Sequence, residues 1–467
     1  MMKRLLLSCI GFCAMFMANA LTPDSAQMAI DTFVLHPDMQ HASMTIAVAN
    51  IKTGQIIASH NPDLSCITAS TMKTVTSATA LELLGGDYRF KTRVYAQGEI
   101  KGNRLKGNLL ILGCGDPTLG SVYFPKNANI VQEILLALQE RGIKKIDGRI
   151  IVDQSIIPYP AYNGWWDVGD LAWDYGMGIH GLSYSDNRTH LKFNALNGKI
   201  DSVMLEPPVP GLAVINRMSS ENRDNVSIGL EYATPAAVLM GSAANQHYDF
   251  TIANPLPANM LVDSLQRVLK NNKIKVKNKD VKHIAPTSTL IAEHLSEPLC
   301  DIVRSLLDRS DNMFTEGLLR AVAHETGHRA TAANGAAVVD SLWKSHGIDT
   351  TPLFQYDGSG LARANKNSAR FFIQMLNYVE NNMPQTAKLS TLMPTASKRI
   401  GKLLPETPLA TDIVLKSGSM TGVQCFVGYY PAHDPQYTFA LLVNNWNGTR
   451  ADMRDRMDKM LIGIFGK

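Results

Sequence analysis

Apolar and polar residues follow two different periods along this chain, one typical of strands and the other typical of helices. Residues 44–50 alternate between apolar and polar, Lys52-Thr53-Gly54 has turn composition, and residues 55–59 resume the strand pattern. This arrangement predicts a β-hairpin. From Ser70 the apolar positions recur at helical spacing until Gly85-Gly86, so we predict a helix between these two points.

The middle of the chain has a different pattern. Strand-like segments over residues 108–112 and 149–152 alternate with a helical segment over residues 130–141. Residues 182–240 are rich in strand patterns and contain no long amphipathic helix. The first region predicts mixed α and β structure, and the second predicts a small β module.

Helical patterns dominate the last third of the chain before two apolar strands close it. The helical patterns cover residues 258–269, 298–325, 332–346 and 368–383. Residues 423–430 and 437–445 predict a second hairpin, and residues 453–465 are amphipathic. Such a segment would suit a membrane surface, but we expect a closing helix packed on the core. Similar elements flank the differently patterned middle, which indicates a domain interrupted by an insertion.

The first twenty residues have the layout of a secretory signal peptide. Lys3 and Arg4 precede an apolar run over residues 5–17, and Ala18-Asn19-Ala20 is a small-residue cleavage site. Cys9 would also allow a lipoprotein, but too little apolar sequence precedes it. We therefore predict export to the periplasm. No later apolar run approaches the roughly 20 residues that a transmembrane anchor needs.

Charge and cysteine content exclude several classes of partner. Loss of residues 1–20 lowers the formal net charge from +4 to +2, and no dense basic run indicates nucleic acid as a partner. The cysteines that remain are Cys66, Cys114, Cys300 and Cys425. No C-x-x-C pair occurs, so we expect neither a metal nor another cofactor. Disulfides are permitted in an oxidising compartment, but we expect buried free thiols.

Candidate chemistry first appears at Ser70-Thr71-Met72-Lys73. A serine nucleophile needs a base within hydrogen-bond reach, and a lysine three residues later lies on the same face of a helix. The start of a helix also favours a developing oxyanion. The motif is weak alone, because Ser341-Leu342-Trp343-Lys344 has the same spacing within an amphipathic pattern, where we interpret it as a solvated face.

Two further motifs also occur more than once. S-x-N occurs at Ser185-Asp186-Asn187, Ser220-Glu221-Asn222 and Ser310-Asp311-Asn312, and K-[ST]-G occurs at Lys52-Thr53-Gly54 and Lys416-Ser417-Gly418. The Ser310 copy separates two helical runs. The Lys416 copy leads into the terminal hairpin, where a strand edge can bind an extended peptide. Together with Ser70 and Lys73, these two copies have the element order of β-lactamases and penicillin-binding proteins.

The sequence resembles the class C low-molecular-mass penicillin-binding proteins over nearly all of the mature chain. The blocks that carry the resemblance beyond the first motif are Gly113-Cys114-Gly115-Asp116-Pro117, Arg309-Ser310-Asp311-Asn312-Met313, Asp357-Gly358-Ser359-Gly360-Leu361 and Lys416-Ser417-Gly418-Ser419-Met420. Thr68, Ser417 and Ala362 stand where proline, threonine and serine are common in that family. None of these departures removes a catalytic atom.

The resemblance implies an α/β (α+β) fold class. It predicts a penicillin-binding, serine β-lactamase-like transpeptidase domain, built from an antiparallel sheet with helices and interrupted by inserted α/β and β-rich domains. Residues 21–90 and 285–467 would form the catalytic domain. Residues 91–181 and 247–284 would form inserted domain II, and residues 182–246 would form a nested domain III.

The resemblance also implies a serine-type D-Ala-D-Ala carboxypeptidase and D,D-endopeptidase. Its partners would be peptidoglycan stem peptides and cross-links, and β-lactam antibiotics would inhibit it covalently. Ser70 would be the nucleophile, and Lys73 would accept its proton, because burial beside Lys416 disfavours a charged amine. Asn312 would bind the substrate amide, and Ser310 would pass a proton to the leaving amine.

The remaining implied roles concern substrate binding. The backbone amides of Ser70 and Ser419 would hold the oxyanion, and Lys416 with its strand would receive the terminal carboxylate. Asp170 and Arg363 would together bind a zwitterionic stem-peptide side chain such as that of diaminopimelate. The alternative is that Asp170 caps the following helix and that Arg363 makes a surface ion pair. The expected substrate-binding residues are Ser417, Gly418, Ser419, Met420, Asp170, Tyr175 and Arg363.

Two other functions remain open from the residues alone. A serine β-lactamase would carry the same three motifs, but the long interval between Lys73 and Ser310 argues against it. A non-catalytic sensor or scaffold is disfavoured because every catalytic side chain is intact. Nothing in the residue pattern indicates an oligomeric state.

Overall fold

The structure is a computed structural model that describes residues 21–125, 129–281, 284–398, 404 and 407–466. The predicted signal peptide, residues 1–20, lies outside the described residues. Within these ranges the α-helices are α1 (Pro23–Val34), α2 (Met72–Leu84), α3 (Ile130–Glu140), α4 (Pro257–Asn271), α5 (Leu299–Arg309), α6 (Asn312–Glu325), α7 (Ala332–Ser345), α8 (Ala369–Asn382), α9 (Leu389–Leu392), α10 (Leu409–Asp412) and α11 (Arg450–Phe465).

The strands divide among several sheets. In the same ranges they are β1 (Ser43–Asn50), β2 (Ile56–His60), β3 (Cys66–Ile67), β4 (Lys91–Lys101), β5 (Arg104–Leu112), β6 (Lys145–Ile146), β7 (Ile150–Asp153), β8 (Arg188–Leu196), β9 (Lys199–Ile200), β10 (Met204–Glu206), β11 (Ala213–Asn216), β12 (Asn225–Glu231), β13 (Ala236–Ser242), β14 (His247–Ala253), β15 (Lys275–Val276), β16 (Ser288–Leu295), β17 (Lys366–Asn367), β18 (Val414–Met420), β19 (Val423–Tyr430) and β20 (Tyr437–Asn444).

A five-stranded antiparallel sheet unites the two ends of the chain. Its strand order is β18-β19-β20-β1-β2, so the two predicted hairpins join through β1 and β20. Successive residues of β1 point to opposite faces. Ile46 and Val48 pack into one hydrophobic cluster, and Ala47 and Ala49 pack into another. Both faces of the sheet are therefore covered by helices.

Helices α1 and α11 cover one face of this sheet. Met453, Met457, Leu461 and Ile464 of α11 are fully buried in the cluster that also contains Ile30 of α1. Full burial of an apolar side chain of this size contributes about 1.5–3 kcal/mol. The prediction that the C-terminal amphipathic segment packs on the core is confirmed.

Helix α2 lies at the centre of the layer on the other face, together with α5, α6, α7 and α8. Residues 72–81 of α2 are all buried. A polar side chain of α2 forms a hydrogen bond within the helix, since Thr79 Oγ1 donates to the Val75 carbonyl oxygen at 2.9 Å. Trp343 Nε1 of α7 in turn donates to Thr79 Oγ1 at 2.9 Å. The helix that carries Lys73 is therefore surrounded by the core.

The inserted part of the chain contributes further sheets. A six-stranded mixed sheet has the order β15-β6-β5-β4-β16, with β7 paired to β5, and it shares a hydrophobic cluster with α3 and α4. Strands β10-β8-β14 with β9, and strands β11-β13-β12, form two sheets around another cluster. The expected α/β (α+β) fold class, an antiparallel sheet with helices interrupted by mixed and β-rich parts, is confirmed.

Strand pairing differs from the expected domain boundaries at two places. Strand β16 pairs with β4 of the six-stranded sheet, although we assigned residues 285–467 to the catalytic part. Strand β14 pairs with β8 of the β-rich region, although we assigned residues 247–284 to domain II. We therefore propose that the insertion extends to about residue 296 and its β-rich part to about residue 253.

The four cysteines of the described chain are free thiols. Cys66 and Cys425 are buried as expected, and burial raises the pKa of the Cys66 thiol to about 11. The expectation is wrong for Cys114 and Cys300, which are only half-buried. Cys114 lies in an irregular loop and Cys300 in the first turn of α5, and both are partly buried against the hydrophobic cluster that includes α2. None of the described helices is long and apolar enough to cross a membrane.

Candidate active site

Ser70 lies in a 3₁₀ turn, Ala69–Thr71, that runs directly into α2. Ala69 has a φ of 43°, in the left-handed region that residues other than glycine rarely adopt. Its carbonyl oxygen is pressed against Gly360, where a Cβ would lie only 1.8 Å away. Strained backbone of this kind concentrates at functional sites. The turn places the half-buried Ser70 side chain at the N-terminal end of a buried helix.

Lys73 lies one helical turn after Ser70 and is fully buried. Its Nζ donates to Ser70 Oγ at 3.0 Å, to Asn312 Oδ1 at 2.6 Å and to the Ser359 carbonyl oxygen at 2.6 Å. An amine within hydrogen-bond reach of a serine hydroxyl is the geometry that a nucleophile and its proton acceptor require. The predicted pair is therefore assembled.

The Ser310-Asp311-Asn312 segment connects α5 to α6. Ser310 ends α5 in the left-handed conformation, with a φ of 61°, and Asp311 caps α6 by accepting from Phe314 N at 2.9 Å. Asn312 is the first residue of α6, so its side chain points from a rigid helix end toward Lys73. Its Nδ2 donates to the Tyr175 carbonyl oxygen at 2.7 Å, which joins the inserted part to the site.

Lys416 lies on β18, the edge strand of the five-stranded sheet, and is fully buried. Its Nζ donates to Ser310 Oγ at 2.9 Å and to the Ser417 carbonyl oxygen at 2.6 Å. Two buried lysines on different elements therefore contact the Ser310–Asn312 segment, and each contacts a serine hydroxyl. All five predicted catalytic residues, Ser70, Lys73, Ser310, Asn312 and Lys416, are brought together.

Gly418 allows β18 to approach the Ser70 turn closely. A Cβ at this position would lie 2.6 Å from the Thr68 carbonyl oxygen and 2.9 Å from Ser70 N. Any larger residue would therefore push the strand away from Ser70. Ser419 follows at an exposed position and Ser417 precedes it at a half-buried one. Met420 ends the strand, and its carbonyl oxygen accepts from Arg450 NH2 at 2.9 Å.

Three residues that we expect to bind the stem-peptide side chain, Asp170, Tyr175 and Arg363, have polar partners in the structure. Tyr175 OH donates to Asp170 Oδ1 at 3.0 Å, and burial together with that carboxylate raises the pKa of Tyr175 to about 12. Arg363 Nε lies 3.6 Å from Asp167 Oδ2, an ion pair between two exposed side chains. Arg363 also reaches the Thr421 carbonyl oxygen, just beyond β18. The binding of a stem-peptide side chain by Asp170 and Arg363 stays a prediction.

Several groups around Lys73 and Asn312 were not predicted from the sequence. The Ser359 and Tyr175 groups are backbone carbonyl oxygens, which have no residue-type signal. The fully buried carboxylates of Glu316 and Asp357 bind the segment that contains Ser359. Glu316 did have a signal, because it lies four residues before Arg320 in an otherwise apolar helical run.

The unused motif copies lie outside this cluster. Ser341 and Lys344 are both exposed on α7, and Lys52-Thr53-Gly54 forms the turn between β1 and β2. Ser185-Asp186-Asn187 is a 3₁₀ turn before β8 in which Asn187 Nδ2 donates to the Gly178 carbonyl oxygen at 3.0 Å. Ser220 is exposed between β11 and β12. Among the described residues, no group of three His, Cys, Asp or Glu side chains could hold a metal ion.

Solved structures identify the class of fold. Penicillin binding protein 4 (dacB) from Haemophilus influenzae matches with a TM-score of 0.79 and 23% identity, over 91% of this chain and 96% of that chain. The same protein complexed with a novel β-lactam matches over the same shares with a TM-score of 0.74. The fold is therefore that of a penicillin-binding protein.

The family follows from the sequence comparison. Residues 26–462 match the D-Ala-D-Ala carboxypeptidase 3 (S13) family, and the chain belongs to that family. D-alanyl-D-alanine carboxypeptidase DacB of Haemophilus influenzae is 26% identical over 416 residues, 85% of this chain and 84% of that protein. A D-alanyl-D-alanine carboxypeptidase of Actinomadura sp. is 24% identical over 443 residues, 90% and 81% of the two chains. The protein is a peptidase of the D-Ala-D-Ala carboxypeptidase type, and the resemblance to penicillin-binding proteins is confirmed.

Proposed function

We propose that this protein is an exported, serine-type D-Ala-D-Ala carboxypeptidase and D,D-endopeptidase that cleaves peptidoglycan stem peptides and cross-links through an acyl-enzyme on Ser70. One contact carries the serine mechanism: Lys73 Nζ lies 3.0 Å from Ser70 Oγ in a site where Lys73 is fully buried. Family membership supports the peptidase class. The pattern of residues 1–20 supports export.

In the first step Ser70 Oγ attacks the carbonyl carbon of the penultimate D-alanine, and Lys73 Nζ takes the hydroxyl proton. The carbonyl oxygen becomes an oxyanion that accepts from the backbone amides of Ser70 and Ser419. The close approach of β18 at Gly418 supports this pairing of amides, because it brings the strand against the Ser70 turn. Asn312 binds the amide group of the substrate.

In the second step the bond between carbon and nitrogen breaks. The leaving amine receives, through Ser310 Oγ, the proton that Lys73 took in the first step, and the peptide remains on Ser70 as an ester. Ser310 Oγ lies 2.9 Å from Lys416 Nζ. Water then attacks this ester, and Lys73, neutral again, accepts a proton from the water and passes it to Ser70 Oγ as the ester bond breaks. In the carboxypeptidase reaction the leaving amine is free D-alanine, and in the endopeptidase reaction it belongs to the cross-linked neighbouring stem.

Charged side chains near Ser70 support recognition of both ends of the substrate. Lys416, Ser417 and Ser419 on β18 would receive the carboxylate of the leaving residue. Arg363 with Asp167, beside Asp170 and Tyr175, offers charges of both signs to a zwitterionic stem-peptide side chain such as that of diaminopimelate. The solved relative in complex with a β-lactam supports inhibition by the same class of antibiotic.

Purified muropeptides test this function directly. Incubation with pentapeptide monomers and cross-linked dimers, followed by mass spectrometry, should show loss of terminal D-alanine and conversion of dimers to monomers. The Ser70→Ala variant should produce neither change. Absence of both products with the unchanged protein, or their persistence with Ser70→Ala, would contradict the proposal, and rapid steady-state hydrolysis of penicillin would indicate a β-lactamase instead.

A further inference from the structure

The Lys73 amine contacts a backbone carbonyl oxygen in addition to side chains. Its Nζ lies 2.6 Å from the carbonyl oxygen of Ser359, within the buried segment Asp357-Gly358-Ser359-Gly360. A lysine ammonium or amine moves on a flexible four-carbon stem, so its position depends on the acceptors around it. The location of the Ser359 carbonyl oxygen therefore affects the distance between Lys73 Nζ and Ser70 Oγ.

Asp357 fixes the peptide group that carries this carbonyl. Asp357 Oδ1 accepts from Gly360 N at 2.7 Å, and Gly360 N lies on the opposite edge of the peptide group that contains the Ser359 carbonyl. Because a peptide group is planar, holding its N–H also sets the direction of its C=O. Asp357 Oδ2 accepts from Trp166 Nε1 at 2.9 Å and from Ala362 N at 2.6 Å.

Glu316 fixes the preceding part of the same segment. Its Oε1 accepts from both Gly358 N and Ser359 N at 2.9 Å, and its Oε2 accepts from Arg320 NH1 at 2.8 Å. Little space remains for movement, since a Cβ at Gly358 would lie 2.9 Å from the Thr315 carbonyl oxygen. Glu316 on α6 therefore determines where the segment lies relative to α2.

We propose that Glu316 is a positioning residue for the proton acceptor, because its carboxylate fixes residues 357–360 so that the Ser359 carbonyl oxygen holds Lys73 Nζ against Ser70 Oγ. The inference rests on the function proposed above for Ser70 and Lys73. It assigns Glu316 no direct contact with substrate. Its effect on the reaction passes through one backbone carbonyl.

Stability alone explains this buried ion pair poorly. Glu316 is fully buried and Arg320 is 5% exposed. Removing two charges from water is costly, and apolar residues of similar size at such positions are often as stable or more stable. Burial and, next, the neighbouring Asp357 raise the pKa of Glu316 above its ordinary value in spite of the opposing effect of Arg320. A carboxylate kept at such a site, with two backbone N–H groups on one oxygen, is better explained by the segment that it orders.

Acylation kinetics with a fluorescent penicillin separate positioning from stability. Glu316→Leu removes both acceptor oxygens and should lower the maximal acylation rate about 100-fold, the effect of misplacing a reacting group by roughly 1 Å. Glu316→Gln retains one carbonyl oxygen for the two N–H groups and should lower the rate only about 10-fold. Both variants should leave the half-saturating penicillin concentration within about threefold, because no substrate contact is lost.

Two controls address the stability of the variants. The double variant Glu316→Leu/Arg320→Leu removes both buried charges and should regain much of the lost thermal stability without regaining acylation. Glu380→Gln removes a carboxylate that accepts from Ser390 Oγ at 2.6 Å and pairs with Lys388 at 3.3 Å, with no role at Ser70. It should lower the melting temperature and leave acylation unchanged.

The outcomes distinguish this inference from the proposed function. A normal maximal rate in Glu316→Leu, or a rate that recovers together with the melting temperature in the double variant, would overturn the positioning role alone. Failure of the unchanged protein to label at Ser70 would instead overturn the proposed function. We expect the acylation rate to fall from the unchanged protein to Glu316→Gln and further to Glu316→Leu, while the half-saturating penicillin concentration stays constant.

Discussion

Two Ser-x-x-Lys segments with the same spacing lie on helices of this protein, and their environments are opposite. Ser70 precedes α2, Lys73 is fully buried, and their side chains are joined at 3.0 Å. Ser341 and Lys344 lie within α7, and both side chains are exposed. Helical spacing brings a hydroxyl and an amine to the same face in both places, so spacing does not distinguish them.

The difference lies in what distant parts of the chain contribute. The acceptors that surround Lys73 come from Asn312 and Ser359, which are 239 and 286 residues further along the chain. An amine held by such neighbours, away from water, can exchange a proton with a hydroxyl. On α7 water screens the lysine charge and competes for both groups. The comparison teaches that burial and non-local acceptors, rather than the motif, distinguish the pair that we propose to be reactive.

Replacing the serine of each pair should have the largest effect on this comparison. Ser70→Ala should abolish covalent labelling by fluorescent penicillin, because the nucleophilic oxygen is gone, and should lower peptide hydrolysis on the order of 10⁴-fold or more. Ser341→Ala should label like the unchanged protein. The fluorescence of the protein band on a denaturing gel measures the covalent labelling. Labelling that survives in Ser70→Ala would remove the basis of the comparison.

Replacing the lysine of each pair should have the next largest effect. Lys73→Met keeps most of the stem volume but removes the proton acceptor, and should slow acylation about 10³-fold, as expected for general-base catalysis. Lys344→Met should leave the acylation rate within twofold and change the free energy of unfolding by no more than about 0.5 kcal/mol. Time courses of acylation and urea denaturation measure the two quantities. Equal loss in both variants would contradict a special environment at Lys73.

A variant of Ser310 tests the contribution of a hydroxyl that comes from a distant part of the chain. The pair on α7 is the comparison. Ser310→Ala removes the Oγ that accepts from Lys416 and should slow turnover of a D-Ala-D-Ala peptide about 10–100-fold, because the proton path to the leaving amine is interrupted. Ser345→Ala, at the end of α7, serves as the control. A Ser310→Ala variant with the normal kcat would exclude Ser310 from proton transfer.

The two tryptophans near these segments should give the smallest and most selective effects. Trp166→Phe removes the donor to Asp357 Oδ2 and should slow acylation about fivefold, because Ala362 N still holds that oxygen. Trp343→Phe removes the donor to Thr79 Oγ1 and should lower the free energy of unfolding by about 1–2 kcal/mol without slowing acylation. Reversal of this pattern would show that Trp166 is merely structural.

The side chains of the site were more predictable than its backbone groups. Ser70, Lys73, Ser310, Asn312 and Lys416 could be selected because their residue types and order are distinctive. The Ser359 carbonyl oxygen could not, since every residue carries the same group. Its place beside Lys73 follows from how a buried loop packs on α2 and α6.

Contacts that depend on how distant segments meet were not predictable. Arg363 lies 3.6 Å from Asp167, and the sequence gives no sign of this ion pair because the two residues are far apart along the chain. The helices and hairpins were predictable from their periods. The sheets that β14 and β16 join were not predictable, because the period of a strand does not indicate which strand it pairs with.

The amide of Asn312 is held at both ends, and this has a consequence for substrate binding. Its oxygen faces the Lys73 amine and its nitrogen faces the Tyr175 carbonyl oxygen. Rotating the amide by half a turn would place its N–H groups against the Lys73 amine and its oxygen against the Tyr175 carbonyl oxygen. Only one orientation is therefore stable. The entropy of orienting this group is therefore lost when the chain folds rather than when the peptide arrives. In the function that we propose, a substrate meets in Asn312 a group of fixed polarity, and its own binding energy remains available for the scissile bond.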